Sequence, residues 1–269
     1  MNLDELNELR QVACDTAVSA GKLAREMWSQ PRQVAQKGFR DLVTDADFAA
    51  QQRITDTIRA RFPNHGFLTE EEDSDLPETG PLVWIIDPID GTTNYSRNVP
   101  EFCIAIAACR PQADSYQPLA AAIYDPMRHE LFSAAKGQGA TLQIGDAPPR
   151  ATAVSTVENT EDAVLALDWC SSADKRTSML ELVGHLAEKS FTVRAIGTAA
   201  LAMAWVAAGR VDAYINLRLR PWDVAAALLL VQESGGSFTT LKGDPIIWDT
   251  AGMSCLVENG RLQLNLQSG

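Results

Sequence analysis

Two aspartates in one short motif have the clearest capacity for chemistry. Residues 87–94 read Asp-Pro-Ile-Asp-Gly-Thr-Thr-Asn and directly follow an apolar run at residues 82–86. This arrangement predicts a buried strand that delivers Asp87 and Asp90 onto a tight turn, where the two carboxylates can converge on one or two hard cations. The same residue types also form ordinary β-turns. The spacing Asp-x-x-Asp differs from the Asp-x-Asp-Gly-Thr of phosphatases that form an aspartyl phosphate, which favours a metal site over a covalent nucleophile.

Three further motifs place acids where either chemistry or ordinary structure could use them. Thr44 and Asp47 have the spacing of a capping box, so Asp47 either caps a helix or points at a catalytic water or metal. The acidic run at residues 70–73, which begins with Glu70, is typical of a solvated face unless the fold gathers it with other acids. Asp223 starts an apolar helix, where the helix dipole favours negative charge.

Other catalytic schemes find little support in the sequence. The chain has three histidines, none at a metal-ligand spacing, and it contains neither a Gly-x-Ser-x-Gly elbow nor a P-loop. Its five cysteines are widely spaced and form no Cys-x-x-Cys pair. This pattern argues against a disulfide framework and a zinc site, and it favours a reducing compartment.

Composition and charge set the broad class of the protein. The 269 residues are 46% hydrophobic and 22% charged, which is typical of a soluble globular protein. No apolar run approaches the ~20 residues that cross a membrane, and the acidic N-terminus lacks a signal peptide. We therefore expect a cytoplasmic protein with no membrane partner. The net charge of −12 also predicts no nucleic-acid partner, and it repels phosphorylated metabolites unless bound cations reverse the local sign.

The elements that must position these residues change along the chain. Spacings of three and four residues predict helices over residues 3–28 and 45–62. Short apolar runs then predict an antiparallel sheet with strands at residues 82–86, 102–109, 119–124, 130–135 and 140–144. Beyond residue 146, strands alternate with helices, which indicates sheet layers covered by helices. The predicted strands are 163–167, 191–195, 212–215 and 254–257, and the predicted helices are 172–189, one after Thr198, and 223–233.

The order and spacing of the motifs together resemble the inositol monophosphatase family. The matching stretches are residues 37–47, Glu70-Glu71, residues 87–94, Gly197-Thr198-Ala199 and residues 222–236. The resemblance implies an α/β fold of the fructose-1,6-bisphosphatase type, a five-layer αβαβα sandwich. It also implies Mg²⁺-dependent, Li⁺-sensitive hydrolysis of a phosphate monoester without a phosphoenzyme, usually by a homodimer. We expect one catalytic unit over residues 1–269, with most metal ligands in an N-terminal half (1–147) and Asp223 and substrate contacts in a C-terminal half (148–269), divided at Pro148-Pro149.

By the family pattern, two to three Mg²⁺ ions share a small set of ligands. The first ion would be held by Glu70, Asp87 and the Ile89 carbonyl. The second would be held by Asp87, Asp90 and Asp223, and Glu70 would contribute to a weaker third site. Because the acids are negatively charged, the site would attract phosphate only when the metal ions are bound.

The remaining family positions concern the reacting water and the substrate. Asp47 and Thr92 match the pair that positions the attacking water and helps to deprotonate it. The backbone N–H groups of Gly91 and Thr92 would bind the phosphate. The other predicted substrate contacts are Thr198, Ala199 and Asn216.

Asn216 departs from the family pattern and leaves the substrate open. Inositol-preferring members carry an acid seven residues before the late metal-binding aspartate, whereas Asn216 carries no charge. Arg218 and Arg220 either bind a second anionic group of the substrate or face solvent. The first hypothesis is a phosphatase of a small phosphorylated metabolite, with inositol 1-phosphate as the best candidate. The alternatives are histidinol phosphate, fructose 1,6-bisphosphate, a nucleotide 3′-phosphate or NADP as substrate, or a non-catalytic regulatory or binding protein on the same scaffold.

Overall fold

The computed structural model describes residues 1–39, 41–73, 75–170, 172–262, 264 and 266. The six helices of this part of the chain are α1 (Leu3–Trp28), α2 (Asp45–Arg61), α3 (Thr92–Ser96), α4 (Ala173–Ala187), α5 (Ala199–Ala207) and α6 (Pro221–Glu233). A 3₁₀ turn covers Thr160–Asp162. Among the described residues, none of the helices combines the length and apolarity needed to cross a bilayer.

Fourteen described strands form three sheets. The strands are β1 (Val34–Gly38), β2 (Asp41–Thr44), β3 (Gly66–Thr69), β4 (Val83–Asp90), β5 (Cys103–Gln112), β6 (Ser115–Asp125), β7 (Glu130–Ala135), β8 (Ala140–Ile144), β9 (Arg150–Ala151), β10 (Val164–Leu167), β11 (Thr192–Ala195), β12 (Ala213–Leu219), β13 (Ser237–Thr239) and β14 (Met253–Glu258). The large sheet has the order β3-β4-β5-β6-β7-β8-β9, the second has the order β11-β10-β12-β14-β13, and β1 and β2 form a hairpin.

The sheets and helices stack in five layers. Helices α1 and α2 cover one face of the large sheet, and α6 packs against the other face through β4, β5, β6 and β7. Helices α5 and α6 also contact β12, β13 and β14 of the second sheet, whose outer face carries α4. The layer order is therefore α1/α2, large sheet, α5/α6, second sheet, α4, which confirms the predicted αβαβα sandwich.

Strand β4 shows why the sequence folds this way locally. Its side chains alternate between two hydrophobic cores, because successive residues of a strand point to opposite faces. Trp84 and Ile86 pack with α1 and α2, whereas Val83 and Ile85 pack with α5 and α6. All eight residues of the strand are buried. The central strand that leads to the acidic motif is therefore fixed from both sides.

The prediction of a tight turn from Asp87 to Asp90 is wrong. Strand β4 continues to Asp90, and its pairing with β5 shifts between Asp87, opposite Ala105, and Asp90, opposite Cys103. Two residues of β4 here oppose one residue of β5, which is the arrangement of a β-bulge. Pro88 lies inside it and has no N–H to contribute to the ladder. The chain turns only at Gly91, whose φ is 100°.

The other predicted elements differ from the structure mainly at their ends. The helix predicted over residues 45–62 ends at Arg61, and the last helix begins at Pro221 rather than Asp223. The hairpin β1–β2, the strands β3, β9 and β13, and the short helix α3 were not predicted. Strand β9 follows Pro149 and still pairs with β8 of the large sheet. The division of the chain into halves at that point stays a prediction.

Candidate metal centre

Three aspartates converge between the large sheet and helix α6. Asp87 and Asp90 lie on either side of the β4 bulge, and Asp223 lies in the first turn of α6. One carboxylate oxygen from each of the three lies within 4.8 Å of the others. Asp87 and Asp90 are only 1% and 7% exposed. The bulge matters here because it breaks the strict alternation that would otherwise separate side chains three positions apart on opposite faces of a strand.

Hydrogen bonds orient each carboxylate. Asp90 accepts bonds from the N-terminal end of α5: from the Thr198 hydroxyl at 2.6 Å, from Ala200 N–H at 2.7 Å and from Ala199 N–H at 3.2 Å. The Cys103 thiol, 3.6 Å from Asp90 Oδ2, adds a weak donor. Asp87 accepts from the N–H of Ile89 at 3.1 Å, and Asp223 accepts from the N–H of Arg220 at 2.6 Å. Asp90 is therefore the most firmly positioned of the three.

The electrostatics of the three acids suit a hard cation. Burial raises the pKa of Asp87 well above its usual range, and the charges of Glu70, Asp90 and Asp223 raise that pKa further. Burial raises the pKa of Asp223 in the same way, with Asp90 adding to it. Burial also raises the pKa of Asp90, against its hydrogen bonds. Clustered buried carboxylates repel one another unless a cation compensates them, and carboxylate oxygens are the ligands that Mg²⁺ prefers.

Glu70 approaches the three aspartates from the end of strand β3. Its carboxylate is 3.0 Å from the Lys37 ammonium, which also lies 2.7 Å from Glu71. The Glu70 side chain is 18% exposed. Burial raises the pKa of Glu70 to about 7, although Lys37 lowers it. Glu70 thus lies against Asp87, with a hydrogen bond between the two side chains that raises the pKa of Asp87, and it also pairs with Lys37.

Asp47 and Thr92 form a hydrogen-bonded pair beside this group. The Thr92 hydroxyl lies 3.0 Å from Asp47 Oδ1 and 3.1 Å from the Ile89 carbonyl. The other Asp47 oxygen accepts from the Thr44 N–H at 2.8 Å, which is the backbone bond of the predicted capping box. Burial raises the pKa of Asp47 to about 6, against its bonds from Thr44 and Thr92. Asp47 therefore caps helix α2 and at the same time faces Thr92.

Gly91 and Gly197 bring the two sides of the site into close contact. At Gly91 a Cβ atom would lie 3.0 Å from the Glu101 carbonyl and 3.2 Å from that of Gly197. At Gly197, whose φ is 82°, a Cβ atom would lie 2.7 Å from the Asn94 amide. That amide donates to the carbonyls of Glu101 and Ile196. These contacts hold the segment after β4 against the N-terminal end of α5.

Two adjoining cavities open beside the acids. One of about 700 Å³ is lined by Asp90, Asp223, Thr198, Ala199 and Asn216 among others. The second, of about 720 Å³, is lined by Lys37, Glu70, Trp222 and Arg220. Asp223 and Arg218 line both. The acids thus lie at the wall of a space large enough for a small metabolite.

Comparison with known proteins gives the family. The profile of the inositol monophosphatase family matches residues 5–266. The chain belongs to the inositol monophosphatase family. The Escherichia coli (strain K12) protein named Nus factor SuhB is 38% identical over 241 residues, which cover 88% of this chain and 87% of that protein. The inositol-1-monophosphatase of Synechocystis sp. is 32% identical over 267 residues, 97% of this chain and 88% of that protein.

A solved structure agrees with this assignment. The crystal structure of an IMPase/NADP phosphatase complexed with Mg²⁺ and phosphate superposes with a TM-score of 0.80 at 26% identity, covering 97% of this chain and 94% of that one. The resemblance inferred from the motifs and the fold class are therefore confirmed. Membership of this family supports phosphatase activity in general terms.

The predicted substrate contacts take specific positions in this family member. Thr198 and Ala199 line the first cavity, but in the structure their donors are directed to Asp90. Asn216 is buried, and its side chain bonds to the Tyr214 hydroxyl and to the N–H of Arg218. Arg218 and Arg220 donate to the carbonyls of Ala251 and Thr250. Several predicted contacts thus also hold the site together.

Sequence reasoning missed one acid in this region. Asp168 follows strand β10, lines the first cavity and is 8% exposed. Burial raises its pKa to about 7, and the charge of Asp90 adds to this. The signal was present in the sequence, because an acid directly after the apolar run at 163–167 resembles the placement of Asp87 after its strand.

Proposed function

We propose that this chain is a Mg²⁺-dependent phosphomonoesterase that hydrolyses a small phosphorylated metabolite, with inositol 1-phosphate as the best candidate. The observation that carries the proposal is the group of three aspartates whose carboxylate oxygens lie within 4.8 Å of one another, two of which, Asp90 and Asp223, line a cavity of about 700 Å³. Membership of the family, and the Mg²⁺ and phosphate named in the related IMPase/NADP phosphatase structure, support it.

The chain offers a defined set of ligands for two to three Mg²⁺ ions. Asp87, Asp90 and Asp223 would hold the metal, with Glu70 and the Ile89 carbonyl completing the set. Bound Mg²⁺ would act as a Lewis acid that stabilises charge on the phosphoryl group and lowers the pKa of water. The raised pKa values of the acids fit this role, since a divalent cation relieves the repulsion that raises them.

Asp47 and Thr92 would handle the proton of the attacking water. With a pKa of about 6, the Asp47 carboxyl is ionised at pH 7 and accepts a hydrogen bond from the Thr92 hydroxyl. As water attacks the phosphorus, its proton would pass to the Thr92 oxygen while the Thr92 proton passes to Asp47 Oδ1. The backbone N–H groups of Gly91 and Thr92 would bind the phosphate. A base whose pKa lies near the operating pH is suited to this transfer.

The test is phosphate release from a substrate panel. The panel holds inositol 1-phosphate, histidinol phosphate, fructose 1,6-bisphosphate, adenosine 3′,5′-bisphosphate and NADP, each with Mg²⁺, with EDTA, and with Mg²⁺ plus Li⁺. We expect Mg²⁺-dependent release that Li⁺ inhibits, greatest for inositol 1-phosphate. Release that is unchanged in EDTA would overturn the metal assignment. No release from any compound would favour the alternative of a non-catalytic binding protein. The name Nus factor of the Escherichia coli relative is compatible with that alternative.

A second substrate class has one observation in its favour. Arg176 and Arg218 both line the first cavity and could receive a second anionic group. Fructose 1,6-bisphosphate, a nucleotide bisphosphate or NADP would carry such a group. A preference for one of these in the panel would select this class over inositol 1-phosphate.

We also propose a homodimer that works in the cytoplasm and binds neither nucleic acid nor membranes. The family resemblance supports the dimer, and the net charge of −12 supports the absence of a nucleic-acid partner. Light scattering on the purified protein measures the first, with twice the 29.2 kDa chain mass as the expected result. A monomeric mass would contradict it.

A further inference from the structure

Asp168 occupies a position that the proposed reaction leaves unexplained. It lines the same cavity as Asp90 and Asp223, yet it directly follows strand β10 of the second sheet. Its Oδ1 atom accepts from the N–H of Gly197, and the neighbouring Thr198 donates to Asp90. The carboxylate of Asp168 and the group of three acids are thus joined by two consecutive residues on one cavity wall.

The Asp168 carboxylate has unused acceptor capacity. Its Oδ2 atom accepts from the Tyr214 hydroxyl at 3.1 Å, Oδ1 accepts from the N–H of Gly197, and the N–H of Ile196 also donates to the carboxylate. A carboxylate offers about four acceptor positions, so these three bonds leave about one position available at the cavity. In the part of the chain that the structure describes, no lysine or arginine forms an ion pair with it. A buried carboxylate with a free acceptor position on a cavity suits a ligand that donates hydrogen bonds.

Asn216 has less capacity for a ligand. Its Nδ2 atom donates to the Tyr214 hydroxyl at 3.0 Å, and its Oδ1 atom accepts from the N–H of Arg218 at 2.9 Å. Because Tyr214 accepts from Asn216, its own hydroxyl proton is directed to Asp168. Asn216 and Tyr214 therefore orient the Asp168 carboxylate, and the acid of this cavity wall lies at position 168 rather than 216.

We propose that Asp168 is the residue that recognises hydroxyl groups of the substrate. This inference rests on the proposed phosphomonoesterase function. The phosphate would lie at the three aspartates and the hydroxyl-bearing part would extend along the wall to Asp168. Hydroxyls fit better than an ammonium group once bound Mg²⁺ compensates Asp90 and Asp223, because Arg176 and Arg218 then outnumber Asp168 on the cavity wall and repel a cation.

The test removes the charge of Asp168 by substitution and removes the substrate hydroxyls by a change of compound. Inositol 1-phosphate and cyclohexyl phosphate have the same ring, and only the first carries ring hydroxyls. For the wild type and Asp168→Asn, kcat/KM is measured on both compounds with Mg²⁺. We expect the variant to lose about tenfold on inositol 1-phosphate and less than about twofold on cyclohexyl phosphate, because a polar site discriminates through hydrogen bonds that only one substrate makes. Asp114→Asn, in the exposed turn between β5 and β6, is the matched control.

Each outcome decides between recognition and a structural role. Equal losses on the two compounds would overturn the inference, because Asp168 would then act only through Gly197 and the position of Asp90. No loss on either compound would also overturn it. So would a loss on histidinol phosphate, which carries an ammonium group, that is larger than the loss on inositol 1-phosphate. If the wild type hydrolyses cyclohexyl phosphate as fast as inositol 1-phosphate, the protein is a phosphatase that does not recognise substrate hydroxyls, and the inference is overturned. Wild-type protein that hydrolyses no compound of the wider panel overturns the proposed function itself.

A second variant covers the case in which Asp168→Asn does not fold. Tyr214→Phe keeps the Asp168 carboxylate and its bond from Gly197 but removes one of the donors that orient it. We expect a loss of about threefold that is confined to inositol 1-phosphate, since one neutral hydrogen bond is removed. The same loss on cyclohexyl phosphate would contradict the inference. Circular dichroism and the Tm show whether each variant is folded.

Discussion

Strand β4 and the hairpin β1–β2 both bring charged groups to the candidate metal centre, but their surroundings are opposite. All eight residues of β4 are buried, and its two aspartates are held between sheet and helices. All five residues of β1 are exposed, and its Lys37 reaches Glu70 and Glu71 across the edge of the site. Buried acids are costly to ionise and are therefore poised for a cation, whereas the ammonium group of Lys37, which is partly exposed, already compensates Glu70 and Glu71. We expect substitutions on β4 to control function and those on the hairpin to modulate it.

The largest expected effect is that of Asp90→Asn. Loss of this ligand should lower Mg²⁺-dependent turnover about a thousandfold, since metal stabilisation of the transition state is worth several kcal/mol. The fold should persist, because relief of carboxylate repulsion offsets the weaker acceptance of the α5 donors. Phosphate release and the Tm measure the two effects. Wild-type turnover in this variant would show that the Asp90 carboxylate is not required for catalysis.

The next effect in size is that of Thr92→Val, which removes a hydroxyl without changing the side-chain shape. Turnover should fall about a hundredfold, in the range of a lost acid–base partner. Thr92→Ser retains the hydroxyl and should keep most of the activity, which makes it the matched control. If valine and serine variants have the same kcat, the hydrogen bond to Asp47 has no role in catalysis.

Stability of the metal-free protein should depend on pH in the direction set by the buried acids. The pKa values of Asp47, Glu70 and Asp168 lie at about 6, 7 and 7 in the folded protein, above their ordinary values near 4. The folded state therefore holds these protons more tightly than the unfolded chain. The stability they contribute is complete below about pH 4 and is lost as the pH rises through about 7, at about 1.4 kcal/mol per pH unit for each proton.

This pH dependence is measured by urea unfolding at pH 5, 6, 7 and 8 in EDTA. The contribution of these acids predicts a free energy of unfolding that falls with rising pH. Added Mg²⁺ should flatten the profile, because the ion favours the ionised carboxylates. A free energy that rises steadily from pH 5 to 8 in EDTA would show that repulsion among the acids does not govern stability.

The smallest expected effect belongs to strand β1 of the hairpin, whose residues are exposed. Lys37→Gln removes the ion pairs with Glu70 and with Glu71, whose side chain is only 3% exposed. We expect it to lower the Tm by about 3–6 °C, because the Glu71 carboxylate loses its cation while Lys37 itself is partly exposed. Arg61→Gln removes the exposed pair with Glu8 and is the control. Thermal unfolding in EDTA compares them. A decrease in Tm of 10 °C for Lys37→Gln alone would show that the hairpin stabilises the acids as strongly as the core does.

The same contrast explains what the sequence could predict. Helix α1 and strands β7 and β8 match their predicted bounds, because apolar side chains at regular spacing mark the buried face of each element. Strand β1 has no buried face and therefore no such pattern. The β4 bulge was missed because it depends on pairing with β5, which lies outside the motif.

The candidate site was predictable to the extent that its chemistry lies in local motifs. Asp87 and Asp90 were selected from their motif and Asp223 from the family resemblance, and the three lie together in the structure. Asp168 follows an apolar run as Asp87 does, but no further motif residues mark it, and its place at the cavity depends on how β10 and β12 pair beside helix α5. The bonds from α5 to Asp90 span more than 100 residues of chain, a distance that local patterns do not report.

The most direct test of the metal centre is calorimetric titration of Mg²⁺ into chelator-treated protein. The account predicts saturable binding to the wild type and to Asp114→Asn. Asp87→Asn should bind at least about tenfold more weakly, because loss even of groups that only support a metal ligand commonly has that effect. Saturable binding that is unchanged in Asp87→Asn, or no binding to the wild type at millimolar Mg²⁺, would contradict the assignment of the three aspartates as a magnesium centre.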